Sequence, residues 1–328
     1  MTERKFETIA IREGHRKTAE QEHSPAIFLT SSFAFDSAEQ AAKRFAKEEP
    51  GNVYTRFTNP TVDAFQTRLA ALEGAESCLA TSSGMSAIFA TLMALLKSGD
   101  HVVASRSMFG TTIVLLNDII PKFNIEVTFV DLGDISTWEN SIQSNTKIFL
   151  LETPSNPCLE IIDIRAVCDL AHEVGAKVIV DNVFATPVLQ HPLELGADII
   201  MYSATKHIDG QGRTMGGAIL TSDMDFFEEL LTPFFRHTGP TLSPFNAWVM
   251  VKGLETLDVR VARHCENALD VAEYLSGRKG ITKVLYPGLE SHPQHELAMS
   301  QMSSGSTIVS FEIDGGKEAA FGFLNRLG

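Results

Sequence analysis

Seven short apolar segments, most of them separated by stretches of helical character, constrain the fold of this chain more than any other feature. They are rich in β-branched residues and lie at 77–81, 101–105, 126–131, 147–152, 177–181, 198–203 and 217–221. Helical patterns fill intervals between them, at 87–97, 111–121 and 164–174. Continuously apolar strands that alternate with helices are typical of a parallel sheet covered by helices on both faces. The sequence therefore predicts an α/β fold with a mostly parallel, seven-stranded sheet.

Residues 1–60 lack this alternation and are expected to form an N-terminal arm. One amphipathic run, 37–49, predicts a helix that follows a Ser cap. The prolines, glycine and asparagine of 50–60 predict an exposed loop. The rest of the arm is expected to be irregular.

The α/β unit is predicted to span 61–244 and to open with a helix over 61–72, directly after Pro60. From 245 onwards the pattern changes to a long helical run that ends at 275. Strand-like segments at 283–286 and 307–313 and helical ones at 294–302 and 317–327 follow it. A smaller α+β domain is therefore predicted over 245–328.

The charge balance and hydropathy exclude two classes of partner. The 328 residues include 27 Lys and Arg against 41 Asp and Glu, a formal net charge of −14. A surface this acidic repels phosphate backbones, so nucleic-acid binding is not expected. The most apolar stretch, 87–96, is too short to span a bilayer and includes Thr91, so no membrane association is expected.

The cysteines and the N-terminal residues bear on the cellular compartment in which the protein is expected. Cys78, Cys158, Cys168 and Cys265 are scattered without a C-x-x-C pair, which in a chain this long favours reduced thiols over a disulfide framework. The first residues mix acidic with basic side chains, and no apolar segment follows them, unlike in a secretory signal. The sequence therefore predicts a cytoplasmic protein.

Residues with reactive or ligand-binding chemistry follow several predicted strands, where ligands bind in open parallel sheets. The first strand is followed by Ser82-Ser83-Gly84-Met85-Ser86 and then at once by a helix. Free backbone N–H groups at a helix start, approached through glycine, can hold a phosphate. A Ser-capped turn without a ligand has the same sequence, so this loop alone leaves both interpretations open.

Two further strand ends carry an acid and an amine. Asp181 ends one predicted strand, where a buried carboxylate would pair with a protonated ring nitrogen or, alternatively, cap a helix. Lys206 follows the next strand, where loss of solvation would favour a neutral amine able to form a Schiff base; a surface lysine is the alternative. Ser203 and Thr205 alternate in strand register, so both hydroxyls can face one ligand. A phosphate site, a carboxylate and an amine are together the set that pyridoxal phosphate chemistry requires.

Five motifs, in this order along the chain, resemble the pyridoxal-phosphate-dependent enzymes of Cys/Met metabolism. They are Val53-Tyr-Thr-Arg-Phe-Thr-Asn-Pro-Thr61, Ser83-Gly-Met85, Glu152-Thr-Pro-Ser-Asn-Pro157, Val180-Asp-Asn182 and Ser203-Ala-Thr-Lys-His207. The resemblance covers most of the chain. It implies fold type I, the architecture of aspartate aminotransferase, with pyridoxal 5′-phosphate as cofactor and an amino acid as substrate.

The resemblance also implies a role for each matching residue. Lys206 would be the Schiff-base lysine and the base that moves protons between substrate carbons, and Asp181 would keep the pyridine nitrogen protonated. The other contacts of the cofactor would be Gly84, Met85, Ser203 and Thr205 at its phosphate and Asn156 at its hydroxyl side.

Tyr54 and Arg56 resemble residues that reach the phosphate of the neighbouring subunit's cofactor. Tyr54 is accordingly counted among the catalytic residues as well as the cofactor contacts. This implies a site shared between subunits, and therefore an obligate dimer that usually pairs into a homotetramer.

Two departures from the common family pattern bear on the reaction. Phe109 stands where the family usually has a tyrosine stacked on the cofactor ring, so stacking is kept but the phenol is lost. The segment from His207 to Arg213, with Gly210 and Gly212, resembles members that join O-succinylhomoserine to sulfide. The implied activity is γ-replacement, which gives homocysteine and succinate in methionine biosynthesis. Arg213 is either a partner for the distal carboxylate of succinate or a surface residue, and both interpretations stay open.

Alternatives within and outside this activity also follow from the sequence. Cystathionine γ-synthase, O-acetylhomoserine sulfhydrylase and methionine γ-lyase would share the same cofactor site. In the family an arginine beyond the strand at 308–313 binds the substrate α-carboxylate, and this sequence ends at Gly328 before that motif. The C-terminal unit is therefore expected to be incomplete, the α-carboxylate contact is unassigned, and a cofactor-binding but inactive homologue is the non-enzyme alternative.

Motifs for other cofactors are weaker. Gly210, Gly212 and Gly216 do not match G-x-G-x-x-G, because the third glycine is one position late and does not open a helix. His292 and His295 lack a third ligand nearby, so a polar helix start is the preferred interpretation and no metal is expected.

Overall fold

The computed structural model describes residues 4–327 and has the predicted α/β architecture. Its main sheet has seven strands in the order β1-β7-β6-β5-β4-β2-β3. The strands are β1 (Ser77–Thr81), β2 (His101–Ser105), β3 (Glu126–Val130), β4 (Thr146–Glu152), β5 (Lys177–Asp181), β6 (Ile199–Ser203) and β7 (Gly217–Thr221). Only β7 runs antiparallel to its neighbours, β1 and β6. The mostly parallel, seven-stranded sheet is thus confirmed, with each strand within one residue of its predicted bounds.

Helices cover both faces of this sheet. In chain order the helices of residues 4–327 are α1 (Phe6–Arg12), α2 (Ala38–Phe45), α3 (Pro60–Glu73), α4 (Gly84–Leu95), α5 (Gly110–Val114), α6 (Ile135–Asn140), α7 (Ile164–Glu173), α8 (Thr186–Leu189), α9 (Thr232–Thr238), α10 (Pro244–Leu254), α11 (Leu257–Leu275), α12 (His295–Gln301) and α13 (Gly316–Leu324). A π-helical turn, Leu115–Ile119, and a 3-10 turn, Ile120–Phe123, continue α5, and a second π-helical turn, Phe226–Leu231, precedes α9.

The alternation of side chains along the central strands explains this two-sided packing. On β5, Ile179 packs into one core with residues of α4, whereas Val178 and Val180 pack into another with residues of α7. The buried residues of α7 are Ile164, Val167, Cys168 and Ala171, which recur at the spacing of one helical face. Because strands buried on both faces need apolar residues at every position, the continuous apolar runs in the sequence are explained.

The C-terminal part adds a two-stranded antiparallel sheet, β8 (Ile281–Leu285) with β9 (Ser310–Ile313). Tyr286, Ala268 and Ala272 form a small separate core beneath it. The division of the chain at residues 60 and 244 stays a prediction.

Two predicted features of the helices are wrong. The single run 245–275 is two helices, because Thr256 leaves the helical conformation, with φ of −128°, between α10 and α11. The N-terminal arm is not irregular before residue 37, since it contains α1, whose Ala10 is buried in a core shared with α3. None of the helices in residues 4–327 has the length and apolar character needed to cross a membrane.

Candidate active site

The ends of the three central strands bring together the acids and the amine that the sequence singles out. Glu152 ends β4 and is the register partner of Asp181, which ends β5 and is in turn the partner of Met201 on β6. Residues at the same register of neighbouring parallel strands point to the same face, so the two carboxyl groups lie side by side. Ser203 ends β6 two residues later, and the turn that carries Lys206 begins there.

The Glu152 and Asp181 carboxyl groups have raised pKa values. Burial raises the pKa of Glu152 to about 8, and the negative charge of Asp181 adds to the shift. Burial also raises the pKa of Asp181 to about 7, although its carboxylate accepts a hydrogen bond from the Val183 N–H at 3.1 Å. No cationic side chain in residues 4–327 opposes these shifts. A bound cation, such as a protonated ring nitrogen, would therefore stabilise the ionised form of this pair of carboxyl groups.

A cradle for an anion lies where α4 begins, against the end of β6. Ser83 caps α4, since its Oγ accepts from the Ser86 N–H at 3.1 Å while the Ser86 Oγ accepts from the Ser83 N–H at 3.0 Å. In the described part of the chain, the N–H groups of Gly84 and Met85 have no protein acceptor. A Cβ on Gly84 would lie 2.8 Å from the Cβ of Ser203. The absence of a side chain at Gly84 thus keeps the free N–H groups close to the end of β6.

Lys206 lies in a tight turn directly after β6. Its N–H donates to the Ser203 carbonyl at 3.2 Å, and its own carbonyl accepts from the Gly210 N–H at 2.7 Å. The Lys206 side chain is exposed, so the protein alone does not supply the desolvation expected from the sequence. The Thr205 Oγ1 lies 3.2 Å from both the N–H and the carbonyl of Gly216, and its hydroxyl is engaged with the backbone in this structure.

The segment after Lys206 is fixed by ion pairing. Asp209 is fully buried and accepts from the backbone N–H and the Nε of Arg213, at 2.8 and 3.0 Å. The Nη1 of Arg260, on α11, donates to the His207 carbonyl at 2.7 Å. These contacts give Arg213 a structural role in shaping the turn, so the pairing with a succinate carboxylate stays a prediction.

Phe109 and Asn156 lie in the loops that follow β2 and β4. The backbone N–H of Phe109 donates to the Glu152 Oε2 at 2.8 Å, which places Phe109 beside the pair of acids. The side chain of Phe109 is 45% exposed, as a ring available to stack on a ligand must be. Asn156 is half-buried, four residues after Glu152.

Tyr54 and Arg56 lie on the loop that precedes α3. The Arg56 guanidinium carbon sits 5.4 Å from the centre of the Tyr54 ring and 4.6 Å from that of Phe57, and its Nη1 donates to the Arg236 carbonyl. No hydrogen bond or ion pair joins Tyr54 or Arg56 to Lys206, Asp181 or Gly84 within residues 4–327. One chain therefore brings together the predicted residues of the strand ends, and the Arg56 loop reaches the neighbourhood of α4 through Thr241, which bridges to Thr81.

Three features of the site were not found by sequence reasoning. Glu152 was part of a motif but had no role, because its importance depends on its register with Asp181. His207 is half-buried beside Lys206, and loss of solvation together with the nearby His264 lowers its pKa to about 4, so it is neutral near pH 7. Behind Asp181, the Asn182 amide donates to the Tyr202 hydroxyl at 2.6 Å, which donates to Glu73 at 2.5 Å.

His292 and His295 have hydrogen-bond partners other than a metal ion. The Nδ1 of His292 accepts from the Gln294 N–H at 3.2 Å, and the Nδ1 of His295 lies 2.8 Å from the Pro287 carbonyl. Over residues 4–327 no group of three His, Cys, Asp or Glu side chains is placed to hold a metal ion.

Fold and site together define a class of cofactor-dependent enzyme, and the comparison with known families agrees. The model for Cys/Met metabolism PLP-dependent enzymes matches residues 7–328. The chain belongs to this family, which depends on pyridoxal phosphate. The resemblance, the cofactor and the enzymatic class predicted from the sequence are thereby confirmed.

Individual relatives narrow the comparison further. An O-succinylhomoserine sulfhydrylase of Pseudomonas aeruginosa is 52% identical over 320 residues, which cover 98% of this chain and 79% of that protein. An L-methionine gamma-lyase of Fusobacterium nucleatum is 44% identical over 98% of this chain and 81% of its own length. Among solved structures, cystathionine gamma synthase from Xanthomonas oryzae, in complex with aminoacrylate and cysteine, is 38% identical with a TM-score of 0.94, over 99% of this chain and 82% of that one.

The residues present fit this cofactor. Its phosphate requires free donors at a helix start, which Gly84 and Met85 offer with no side chain in the way. Its protonated ring nitrogen requires an anion without a protein cation, and the half-buried Asp181 meets this condition. Its aldehyde requires an amine that can reach it, and Lys206 follows the strand next to Asp181.

Proposed function

We propose that this chain catalyses γ-replacement on O-succinylhomoserine, in which sulfide displaces succinate from Cγ and homocysteine forms. The similarity to O-succinylhomoserine sulfhydrylases, at 52% identity for the P. aeruginosa protein, supports the choice of substrate. The observation that carries the proposal is the convergence of Asp181, Lys206 and the start of α4 at the ends of β5 and β6, with a phenylalanine, not a tyrosine, held beside them.

Asp181 and the start of α4 bind and orient the cofactor in this proposal. When bound, pyridoxal phosphate supplies an electron sink that lets protons leave carbons near the substrate amino group. Asp181 holds the proton on the ring nitrogen, because an ionised carboxylate beside a cation is favoured in a buried site. The N–H groups of Gly84 and Met85, with Ser203 and Thr205, hold the phosphate, and Asn156 contacts the hydroxyl side of the ring.

Lys206 does the proton transfer. Its Nζ accepts the protons that the substrate loses from Cα and Cβ, after which succinate leaves from Cγ with the bonding electrons. Sulfide then forms the new C–S bond at Cγ, and protons return to Cβ and Cα, so O-succinylhomoserine and hydrogen sulfide give homocysteine and succinate. Lys206 is suited to this role because its side chain is exposed on a turn whose backbone is hydrogen-bonded at both ends.

Phe109 favours succinate as the leaving group. A phenylalanine ring can stack on the cofactor but cannot donate a proton, and succinate leaves as a stabilised carboxylate that needs little such help. The thiolate that leaves from methionine is more basic and gains more from a nearby acid. This difference supports sulfhydrylation over methionine cleavage.

Tyr54 and Arg56 complete the site of a second subunit in this proposal. In the described residues this loop makes no hydrogen bond or ion pair with Lys206 of the same chain, and it carries an exposed Tyr54. A two-fold symmetric dimer allows each loop to serve the partner's cofactor. The functional assembly is accordingly a dimer, paired into a homotetramer, and the compartment is the cytoplasm.

A steady-state assay with purified, cofactor-loaded protein tests the proposed reaction. O-succinylhomoserine is offered with sulfide, with cysteine or with no thiol, and O-acetylhomoserine and methionine are offered in parallel. We expect homocysteine and succinate in equal amounts, dependent on sulfide. Faster turnover with cysteine indicates a cystathionine γ-synthase, preference for the acetyl ester an O-acetylhomoserine sulfhydrylase, and methionine cleavage at an equal rate a γ-lyase. Any of these three results contradicts the proposal.

A further inference from the structure

Glu152 is placed to touch two parts of the cofactor site at once. It is only 2% exposed and ends β4 at the register of Asp181. Its Oε2 accepts from the backbone N–H of Phe109 at 2.8 Å. Its Oε1 is buried and has no hydrogen-bond partner within the described chain. A buried polar atom without a partner is costly, and such an atom in a site indicates an unaccounted function.

The proximity of the buried Glu152 and the half-buried Asp181 limits the charge states of their carboxyl groups. Neighbouring carboxylates that share a site cannot both be ionised without strong repulsion, and here no protein cation relieves it. Asp181 lies where it can face the cofactor nitrogen, whereas Glu152 lies one strand further away and is held by Phe109. The proton of the pair is therefore best held by Glu152. In that state Glu152 offers one O–H donor and keeps an acceptor oxygen for Phe109.

We propose that Glu152 is a positioning residue that, as a neutral acid, keeps Asp181 the single anion facing the cofactor ring and fixes Phe109 against the ring face. The inference rests on the proposed cofactor site and assigns a role to a residue of that site which the proposed reaction does not use. The O–H of Glu152 donates towards the Asp181 carboxylate, and its other oxygen holds the Phe109 backbone. One side chain thus couples the contact at the ring nitrogen to the contact at the ring face.

Two substitutions separate this role from simple packing. Glu152→Gln keeps an amide donor for Asp181 and a carbonyl acceptor for Phe109, and it has no charge at any pH. Glu152→Leu keeps the approximate volume but leaves the Phe109 N–H and the Asp181 carboxylate without their partner. Glu139, which is exposed on α6, provides the matched control pair Glu139→Gln and Glu139→Leu.

The readouts are the dissociation constant of pyridoxal phosphate from the folded apo-protein and the visible circular dichroism of the bound cofactor, which reports ring orientation. We expect Glu152→Gln to stay within about threefold of wild type, with an unchanged dichroic band. The Glu152→Leu protein should bind pyridoxal phosphate at least about tenfold more weakly and show an altered dichroic band, because the Phe109 N–H is left without a hydrogen-bond acceptor. Both Glu139 variants should match wild type.

Several outcomes overturn the proposal. A tenfold loss in Glu152→Gln means that the negative charge of Glu152 is required, and this result stands even if Glu152→Leu does not fold. Equal, wild-type binding and dichroism in both variants means that Glu152 positions nothing. Failure of the proposed function is recognised separately, because the wild-type protein itself would then bind no cofactor or fail the sulfide assay.

Discussion

Replacing Gly84 by alanine tests the close approach between α4 and β6 on which the phosphate cradle depends. The added Cβ would lie 2.8 Å from the Cβ and 3.0 Å from the Cα of Ser203. Both atoms are fixed to the backbone, so no side-chain rotation relieves the contact. Because ordinary contacts of a Cβ begin near 3.4 Å, the start of the helix and the end of the strand must separate by about 0.6 Å.

A displacement of this size is large on the scale of a hydrogen bond. Useful N–H···O distances span only about 2.7–3.2 Å, so a shift of about 0.6 Å breaks a bond that was well formed. A hydrogen bond to a charged group contributes about 1.5–3 kcal/mol. Losing one phosphate contact should therefore weaken cofactor binding roughly 10- to 150-fold. The overpacking should also lower the free energy of unfolding by about 1–3 kcal/mol.

Titration of the apo-protein with pyridoxal phosphate, followed by absorbance, measures the first effect, and urea unfolding measures the second. Gly322→Ala is the matched control, because Gly322 also lies in a helix and a Cβ there would meet nothing within 4 Å. It should bind the cofactor like wild type and gain about 0.5–1 kcal/mol of stability from helix propensity. A folded Gly84→Ala protein with cofactor affinity within about twofold of wild type would refute the cradle.

Three further predictions concern the leaving group, the assembly and pH. Phe109→Tyr should narrow the excess of sulfhydrylation over methionine cleavage, measured as a ratio of kcat/KM values, and an unchanged ratio would rule out the missing phenol as its cause. Mixing Arg56→Ala with Lys206→Ala protein should restore up to about a quarter of wild-type sites if dimers form at random, and no recovery after proven subunit exchange would mean that the site is not shared. The pKa of Glu152 is raised from 4.5 to about 8, so the folded apo-protein binds more protons than the unfolded chain and loses stability as the pH rises through this range. Between pH 5 and pH 8.5, the free energy of unfolding measured in urea should fall by about 2–4 kcal/mol less in the Glu152→Gln protein than in wild type. An equal fall in both proteins would mean that Glu152 is not protonated in the folded state.

The central strands β4, β5 and β6 were predictable because they are buried on both faces, so their apolar runs are continuous and their ends are marked by polar residues. The break between α10 and α11 was not, since the residues around Thr256 are compatible with a helix. Contacts that the sequence does not specify accompany it: the Nη2 of Arg260 donates to the Gly253 carbonyl at 2.8 Å, and Gly253 packs closely against Ile208. Helix α1 was not predicted because only Ala10 of its seven residues is buried and its apolar residues show no clear helical period.

Some residues of the candidate site were also predictable from the sequence, and others were not. Asp181 and Lys206 were predictable because the carboxyl ends of parallel strands lie at the same edge of the sheet. A residue that ends or follows such a strand is therefore expected in the site. Glu152 could not be recognised from the sequence, because its role depends on its register with Asp181 and on the hydrogen bond that it accepts from the Phe109 N–H. The engagement of Thr205 with Gly216 and of Arg213 with Asp209 likewise depends on how the turn after β6 folds.

The central claim is that Lys206 is the residue that binds the cofactor covalently, opposite Asp181. The most direct measurement is borohydride reduction of the cofactor-loaded protein, followed by digestion and mass spectrometry of the peptides. We predict one phosphopyridoxyl group per chain, on the peptide that contains Lys206, and none in Lys206→Ala. A group on another lysine, or no group after incubation with excess cofactor, would contradict the account.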